Sequence, residues 1–197
     1  MPKRAIFWLD RVLRGKQGIV AYSESELSLL RISMSRLDEA RTLPDGSPVM
    51  AGSNIIDLHL WNERVGGLGL GLLWAVKVRR GMEHSMILLA ERLETDRALC
   101  SCAAIRARIA FVDSRSAPKF TRIARRFGLE SEGGNQARML GPGLLSLALT
   151  WATNPGSLKG KRFRPAQATL WIGVPAFRQR FCTTKEPPPF RAVEVAT

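Results

Sequence analysis

The sequence predicts an α+β domain in which helices pack on a mixed, mainly antiparallel sheet. Two observations lead to this prediction. Several short segments alternate between apolar and polar residues, as half-buried strands do, and tight-turn residues separate the first of them. A long segment then follows in which apolar residues recur every three or four positions, as they do on a helix that covers a core.

The chain of 197 residues is long enough for one sizeable domain. We predict a single α+β domain over residues 1–185 and a disordered, proline-rich tail over residues 186–197. Residues 4–14 place apolar side chains on one helical face, and charged residues interrupt the apolar stretch. We therefore expect a docked amphipathic helix there and not a signal peptide. A helix that rests on an anionic membrane surface is the alternative.

The strand predictions rest on alternation and on turn chemistry. Pro44-Asp45-Gly46 and residues 51–54 have the composition of tight turns, so the strands on either side of them should be antiparallel. The predicted strands cover residues 29–37, 55–61, 104–112 and 169–172.

The helix predictions rest on periodicity and on helix-ending residues. The long pattern predicts a helix from about residue 70 to residue 95, in which Gly81 costs about 1 kcal/mol relative to alanine. A short helix should stop at Gly128, and a last one should open with Pro175. Residues 143–152 fit a buried helix or a strand equally well.

The formal net charge of +13 implies attraction to anions such as nucleic acid, anionic lipid surfaces or phosphorylated cofactors. Long Lys/Arg blocks and basic patches with interleaved aromatic residues are absent from the sequence, which disfavours nucleic acid. Three cysteines without a nearby histidine fit neither a disulfide framework nor a metal site, so we expect reduced thiols in a cytoplasmic protein. No apolar run reaches the roughly 18 residues that span a bilayer.

Asp57 and His59 are the best candidates for general acid–base chemistry. Side chains two apart on a strand face the same way, and a carboxylate can orient an imidazole. Glu63, at the end of the same strand, can do similar work. The alternative is a structural Asp–His hydrogen bond that pins the strand to a neighbouring loop. His84 stands alone on the long helix, where we expect it at the surface.

A glycine-rich segment leads from this strand into the long helix. Glycines let backbone N–H groups approach a phosphate closely, and a helix N-terminus favours negative charge. The dinucleotide-binding fingerprint does not fit, because the acidic residue it needs about 20 positions later would lie inside the long helix. The Lys-Ser/Thr pair of a phosphate loop is absent as well. A glycine-rich turn without a ligand is the alternative.

Arg64-Val65-Gly66-Gly67-Leu68-Gly69 reads as R-x-x-G-x-G and resembles the pyrophosphate loop of the GNAT acyl-CoA-dependent N-acyltransferases. The resemblance covers about residues 55–130 and includes the segment Arg126-Phe127-Gly128-Leu129-Glu130. It implies a GNAT-like layered architecture, acetyl-CoA or another acyl-CoA as a phosphate-bearing ligand, no metal, and an amine that a carboxylate or histidine deprotonates. The implied site consists of Arg64, Gly66, Gly67, Leu68, Gly69 and Gly71 for the coenzyme and of Asp57, His59 or Glu63 for the amine.

The chain departs from the GNAT pattern in two places. The tyrosine that can protonate the departing thiolate is replaced by Ala124, and Ser116 and Ala117 stand where an asparagine is often found. The single tyrosine, Tyr22, is far away in sequence. These departures bear on acyl transfer more than on coenzyme binding.

A second resemblance covers more of the chain. Asp45-Gly46, Gly52 and residues 56–63 resemble the D-G…G-D-x-I-x-x-L-H-L-x-N signature of YkoP-like domains, and Leu170-Trp171-Ile172 is similar too. Some members accompany or are fused to polysaccharide deacetylase domains. This implies an alternative function, a non-catalytic accessory module that binds an anionic cell-envelope component or a polysaccharide-modifying enzyme. A position at the inner face of the membrane would accompany that alternative.

Overall fold

The computed structural model describes residues 15, 17–61, 64–65, 72–111, 117–131 and 166–182. In chain order they form strands β1 (Leu30–Arg36), β2 (Arg41–Thr42), β3 (Pro48–Val49) and β4 (Asn54–Leu60), helices α1 (Leu72–Thr95) and α2 (Arg97–Cys100), strand β5 (Ala104–Phe111), helix α3 (Ala117–Arg126), strands β6 (Glu130–Ser131) and β7 (Ala166–Gly173), and helix α4 (Val174–Phe181).

A five-stranded mixed sheet in the order β1–β4–β5–β7–β6 forms the centre of the fold. Its neighbours are antiparallel except for β4 and β5, which are parallel. A parallel pair needs a crossover connection, and α1 and α2 supply it between these two strands. Strands β2 and β3 form a separate antiparallel hairpin. The predicted α+β class and the mainly antiparallel sheet are confirmed.

The parallel pair is short. Its register runs from Ile55 beside Ala104 to Leu58 beside Ala107. Beyond these residues β4 continues to Leu60 along β1, and β5 continues to Phe111 along β7. The two central strands therefore part at their carboxyl ends, and each follows its outer neighbour.

One face of the sheet is apolar and carries the main core. Alternate residues of β1, β4, β5 and β7 point to this face, and α1 and α4 pack on it. Its fully buried side chains include Ile56, Ile105, Leu170, Met86, Leu89, Leu93 and Phe177.

Gly81 sits where α1 presses on the segment before β1. A Cβ atom at Gly81 would lie 2.6 Å from Leu29 Cδ1 and 3.1 Å from the Leu27 carbonyl oxygen. The Ser85 hydroxyl joins the same contact, because it accepts a hydrogen bond from the Leu29 N–H (2.8 Å) and donates to the Gly81 carbonyl (2.6 Å). Glycine at this position lowers the helix propensity of α1, as predicted. Its lack of a side chain lets the helix pack closely against the segment before β1.

The other face of the sheet is polar except at one end, which the hairpin covers. Leu43 and Val49 of the hairpin region pack there against Ile55, Ala104 and Trp171. The turn expected at residues 44–46 is confirmed, since Gly46 has a φ of +84°. A further tie comes from the carboxylate of this turn.

The Asp45 carboxylate connects the hairpin turn to the start of α4. It accepts hydrogen bonds from the Gly173 N–H (2.6 Å) and the Ser47 N–H (2.9 Å). Burial alone would raise the pKa of this carboxyl, but the hydrogen bonds outweigh burial and lower it. Pro175 is the second residue of α4, one position later than predicted.

Most predicted elements are present within one to three residues of their expected ends. The exceptions are the short elements β2, β3, α2 and β6, which are not among the predicted elements. The helix expected over residues 4–14, the segment 143–152 and the tail over residues 186–197 lie outside the described residues. Among the helices that the structure does describe, none combines the length and the apolar character needed to cross a membrane.

Candidate functional site

Asp57 and His59 share the polar face of the sheet, as predicted. In the antiparallel register, Asp57 pairs with Ser33 and His59 with Arg31, and in the parallel pair Asp57 lies beside Arg106. Directly paired residues point to the same face. The two candidates therefore meet serine and arginine side chains from both neighbouring strands.

The Asp57 carboxylate is buried and fully engaged. Arg106 donates from Nε to Oδ1 (2.6 Å) and from Nη2 to Oδ2 (2.8 Å), and the Ser35 hydroxyl donates to Oδ2 (2.7 Å). Burial alone would raise the pKa of the Asp57 carboxyl, but these hydrogen bonds and the charges of Arg106 and Arg108 outweigh it and lower the pKa. Asp57 is thus an ionised group that joins β1, β4 and β5.

His59 makes a different contact and is half-buried. Its Nε2 lies 2.8 Å from the Ser33 hydroxyl oxygen. Burial lowers the pKa of the imidazole, and the charges of Arg108 and Arg106 lower it further; the charge of Asp57 raises it without reversing the shift. At neutral pH the ring is therefore uncharged and able to accept a proton. Asp57 and His59 are each anchored, but to different partners and not to one another.

Arg64 packs against the tryptophan that follows β4. Its guanidinium lies 3.6 Å from the centre of the Trp61 ring, and that of Arg31 lies 3.8 Å from the same centre. Arg64 Nη1 also donates to the carbonyl oxygens of Ser25 (2.6 Å) and Ser28 (2.8 Å). These contacts tie Trp61 to Arg31 of β1 and, through Arg64, to the segment before β1.

The remaining candidates for the coenzyme and the amine lie outside the described residues: Glu63, Gly66, Gly67, Leu68, Gly69 and Gly71. The described parts on either side of them are β4, which ends at Leu60, a helical turn at Arg64 and Val65, and α1, which begins at Leu72. The strand and the helix that the sequence predicts around this segment are thus present.

Ala124 and Tyr22, the two residues that bear on the predicted protonation of a departing thiolate, both lie within the described residues. Ala124 is buried in α3, and Tyr22 is buried against α1, where its hydroxyl donates to the Ser85 carbonyl oxygen (2.7 Å). Burial raises the pKa of Tyr22 to about 12, although hydrogen bonds with Ser28 and Ser85 oppose the shift. Tyr22 is a structural hydrogen-bond donor, and Ala124 packs in the same core.

Four polar residues of this face were not singled out from the sequence: Ser35 and Arg106, which bind Asp57, and Ser33 and Arg108. Ser33 contacts His59, and Arg108 lies 3.9 Å from Asp57 with half of its side chain exposed. Both occupy polar positions of predicted strands, so alternation placed them on the right face. Ser33 and Arg108 contact residues of β4 from the neighbouring strands β1 and β5. The order of strands in the sheet, which decides these contacts, was not evident from the sequence.

Metal ligation finds no support in the described residues, where no three His, Cys, Asp or Glu side chains gather. Cys100, Cys102 and Cys182 are free thiols. Burial raises the pKa of Cys102 to about 11, and the charges of Asp96 and Cys100 add to the shift. His84, expected at the surface, is half-buried, and its Nε2 lies 2.9 Å from the Ser25 hydroxyl.

Comparison with known proteins adds no family or relative: the chain matches no protein-family model, no curated protein and no solved structure.

Proposed function

We propose that this chain is a GNAT-like domain that binds an acyl-CoA and transfers its acyl group to an amine. The observation that carries the proposal is the parting of β4 and β5. The two strands pair in parallel only up to Leu58 and Ala107, and beyond these residues each pairs only with its outer neighbour. A gap between parallel strands at their carboxyl ends is where ligands of α/β sheets bind, because side chains and backbone groups of both strands are accessible there.

The residues next to this gap support the proposal. His59 and Arg108 follow the last paired residues on the same face, so they flank the point of divergence. The segment with the R-x-x-G-x-G pattern leaves β4 at the same end and leads into α1. A helix N-terminus preceded by glycines favours a pyrophosphate, since its backbone N–H groups have no partner within the helix.

Within this proposal, His59 is the group that accepts the amine proton. It is uncharged at neutral pH and half-buried, whereas Asp57 is committed to Arg106 and Ser35. Asp57 then acts as a positioning residue that fixes β4 against its neighbours. Glu63 remains a second candidate base because the sequence places it just after β4.

Thermal unfolding with and without acetyl-CoA tests the binding step. A site that is saturated at 100 times its Kd stabilises the protein by about 2.7 kcal/mol. Gly69→Glu places a carboxylate in the segment proposed to hold the pyrophosphate and should abolish the shift. Gly15→Glu is the matched control, because it changes the charge equally at a glycine with no atom within 4 Å of an added Cβ. The absence of any shift at millimolar acetyl-CoA would refute the proposal.

A second function, an accessory module on an anionic membrane surface, is favoured by the outer surface of α1. Leu73 is 74% exposed and Val76 is 37% exposed. Lys77, Arg79 and Arg80 are exposed beside them. Apolar side chains flanked by basic ones are typical of helices that lie in a lipid interface.

Vesicle sedimentation distinguishes this second function from the first. Binding to vesicles that contain phosphatidylserine, with recovery in the supernatant for phosphatidylcholine alone, is the expected result. The double variant Leu73→Ser/Val76→Ser should weaken binding, while Val20→Ser, at another exposed apolar residue, should not. Equal recovery with both kinds of vesicle would count against a membrane role.

A further inference from the structure

The contact between Ser33 and His59 has the geometry of a nucleophile and its base. Ser33 lies on β1 and His59 on β4, and their side chains meet across the strand pair with 2.8 Å between Oγ and Nε2. Activated serine nucleophiles have a general base within about 2.6–3.2 Å. We propose that Ser33 is a nucleophile that carries the acyl group as an ester between the thioester and the acceptor.

The groups around the pair suit this role. In the tautomer with its proton on Nδ1, the imidazole accepts the hydrogen bond from the Ser33 hydroxyl at Nε2. Burial and the charges of Arg108 and Arg106 lower the pKa of His59, and the charge of Asp57 on the same face partly offsets them for the imidazolium that forms when His59 takes the proton. Arg108 adds a half-exposed cation on the same face, where it can stabilise the negative oxygen of a tetrahedral intermediate.

The two half-reactions balance. Ser33 Oγ bonds to the thioester carbonyl carbon while its proton passes to His59 Nε2. The C–S bond then breaks, His59 gives that proton to the sulfur, and the coenzyme leaves as a thiol. An amine then attacks the ester and gives a proton to His59. The C–O bond breaks, and Ser33 Oγ recovers a proton from Nε2. The identity of the thioester rests on the proposed function; the reactivity of Ser33 does not.

Burial of Ser33 limits the size of the acyl group that its hydroxyl can accept. Only 8% of this residue is exposed, so little space is open to an acyl group at Oγ. A short acyl chain fits this restriction better than a long one. The acetyl group is therefore the expected cargo, and a longer ester should react more slowly.

An activated ester tests the proposal without coenzyme. With p-nitrophenyl acetate we expect a burst of about one equivalent of nitrophenolate per chain. Peptide mass spectrometry of the wild-type protein should then locate one acetyl group on Ser33. Because the pKa of His59 is lowered, the burst rate should stay constant as pH falls and decline only below the usual histidine range of about 6.5.

Variants separate reactivity from a structural contact. Ser33→Ala should remove the burst, and His59→Gln should slow acetylation of Ser33 by at least about 100-fold. Ser101→Ala, at the exposed serine that follows α2, is the control and should react like the wild type. Acetyl groups on lysines but none on Ser33 in the wild-type protein would overturn the proposal. That result would leave acetyl-CoA binding intact, whereas loss of coenzyme binding alone would leave the burst.

Discussion

At the residue scale, the charge of Asp57 decides what the polar face can do. A buried carboxylate is costly unless it is paired and hydrogen-bonded. Arg106 meets this need with two donors in one plane, and Ser35 supplies a third. Asp57 therefore holds three strands together. His59 is the neighbouring group that remains able to accept and donate a proton.

Removal of Arg106 should destabilise the protein strongly. Arg106→Leu leaves Asp57 buried without its bidentate partner, which costs about 3–5 kcal/mol in such pairs. Urea unfolding at pH 7 measures this loss. The double variant Asp57→Leu/Arg106→Leu removes both charges and should recover most of it. A loss below about 1 kcal/mol in the single variant would show that the pair is not buried as described.

Acid should weaken the same anchor. The pKa of Asp57 is lower in the folded state than the usual value of about 3.9, so its contribution is complete above that value and is lost as pH falls through the folded pKa. Urea unfolding between pH 7 and pH 2.5 should show this decline. Asp57→Asn should be less stable than the wild type at pH 7, and the difference should shrink in acid. A constant difference across this range would contradict the assignment.

At the element scale, close approach of backbones explains a residue that helix propensity disfavours. Gly81 lies in the middle of α1, and Leu29 fills the space that a side chain would need. The contact joins the helix to the segment that leads into β1. The packing of α1 thus depends on a position where a better helix former does not fit.

Gly81→Ala should destabilise the protein although it improves helix propensity by about 1 kcal/mol. The added methyl group would lie within 3 Å of Leu29, and overpacking of this kind costs about 1–3 kcal/mol. The midpoint of thermal unfolding measures the balance. Lys77→Ala, at an exposed position of the same helix, is the control and should change stability little. Stabilisation by Gly81→Ala would show that Leu29 moves aside freely.

Local pattern predicted the elements, but it did not predict their partners. Strict alternation marked β1, β4 and β5, and the three- and four-residue period marked α1, because each buries one face over several residues. Helix α2 and strand β6 have only four and two residues, too few for a period to show. Likewise, Asp57 and Arg106 are 49 residues apart in the chain, so their pairing follows from sheet order alone.

At the scale of the whole molecule, the fold separates its polar chemistry from its core. Helices α1 and α4 cover the apolar face of the sheet, and the hairpin covers one end of the other. The part of that second face beside the carboxyl ends of β4 and β5 holds His59, Ser33 and Arg108. The chain as a whole carries a formal net charge of +13.

Salt should stabilise this molecule as a whole. Compaction brings like charges together, and added salt screens their repulsion over about 10 Å at 0.1 M ionic strength. The free energy of unfolding in urea should rise by on the order of 1 kcal/mol between low salt and 0.5 M NaCl. Arg36→Gln/Arg97→Gln/Arg122→Gln, at three exposed arginines, lowers the net charge by three and should reduce the salt effect. Potassium chloride at equal ionic strength should act like NaCl if screening is the cause. Lower stability in salt would contradict the repulsion argument.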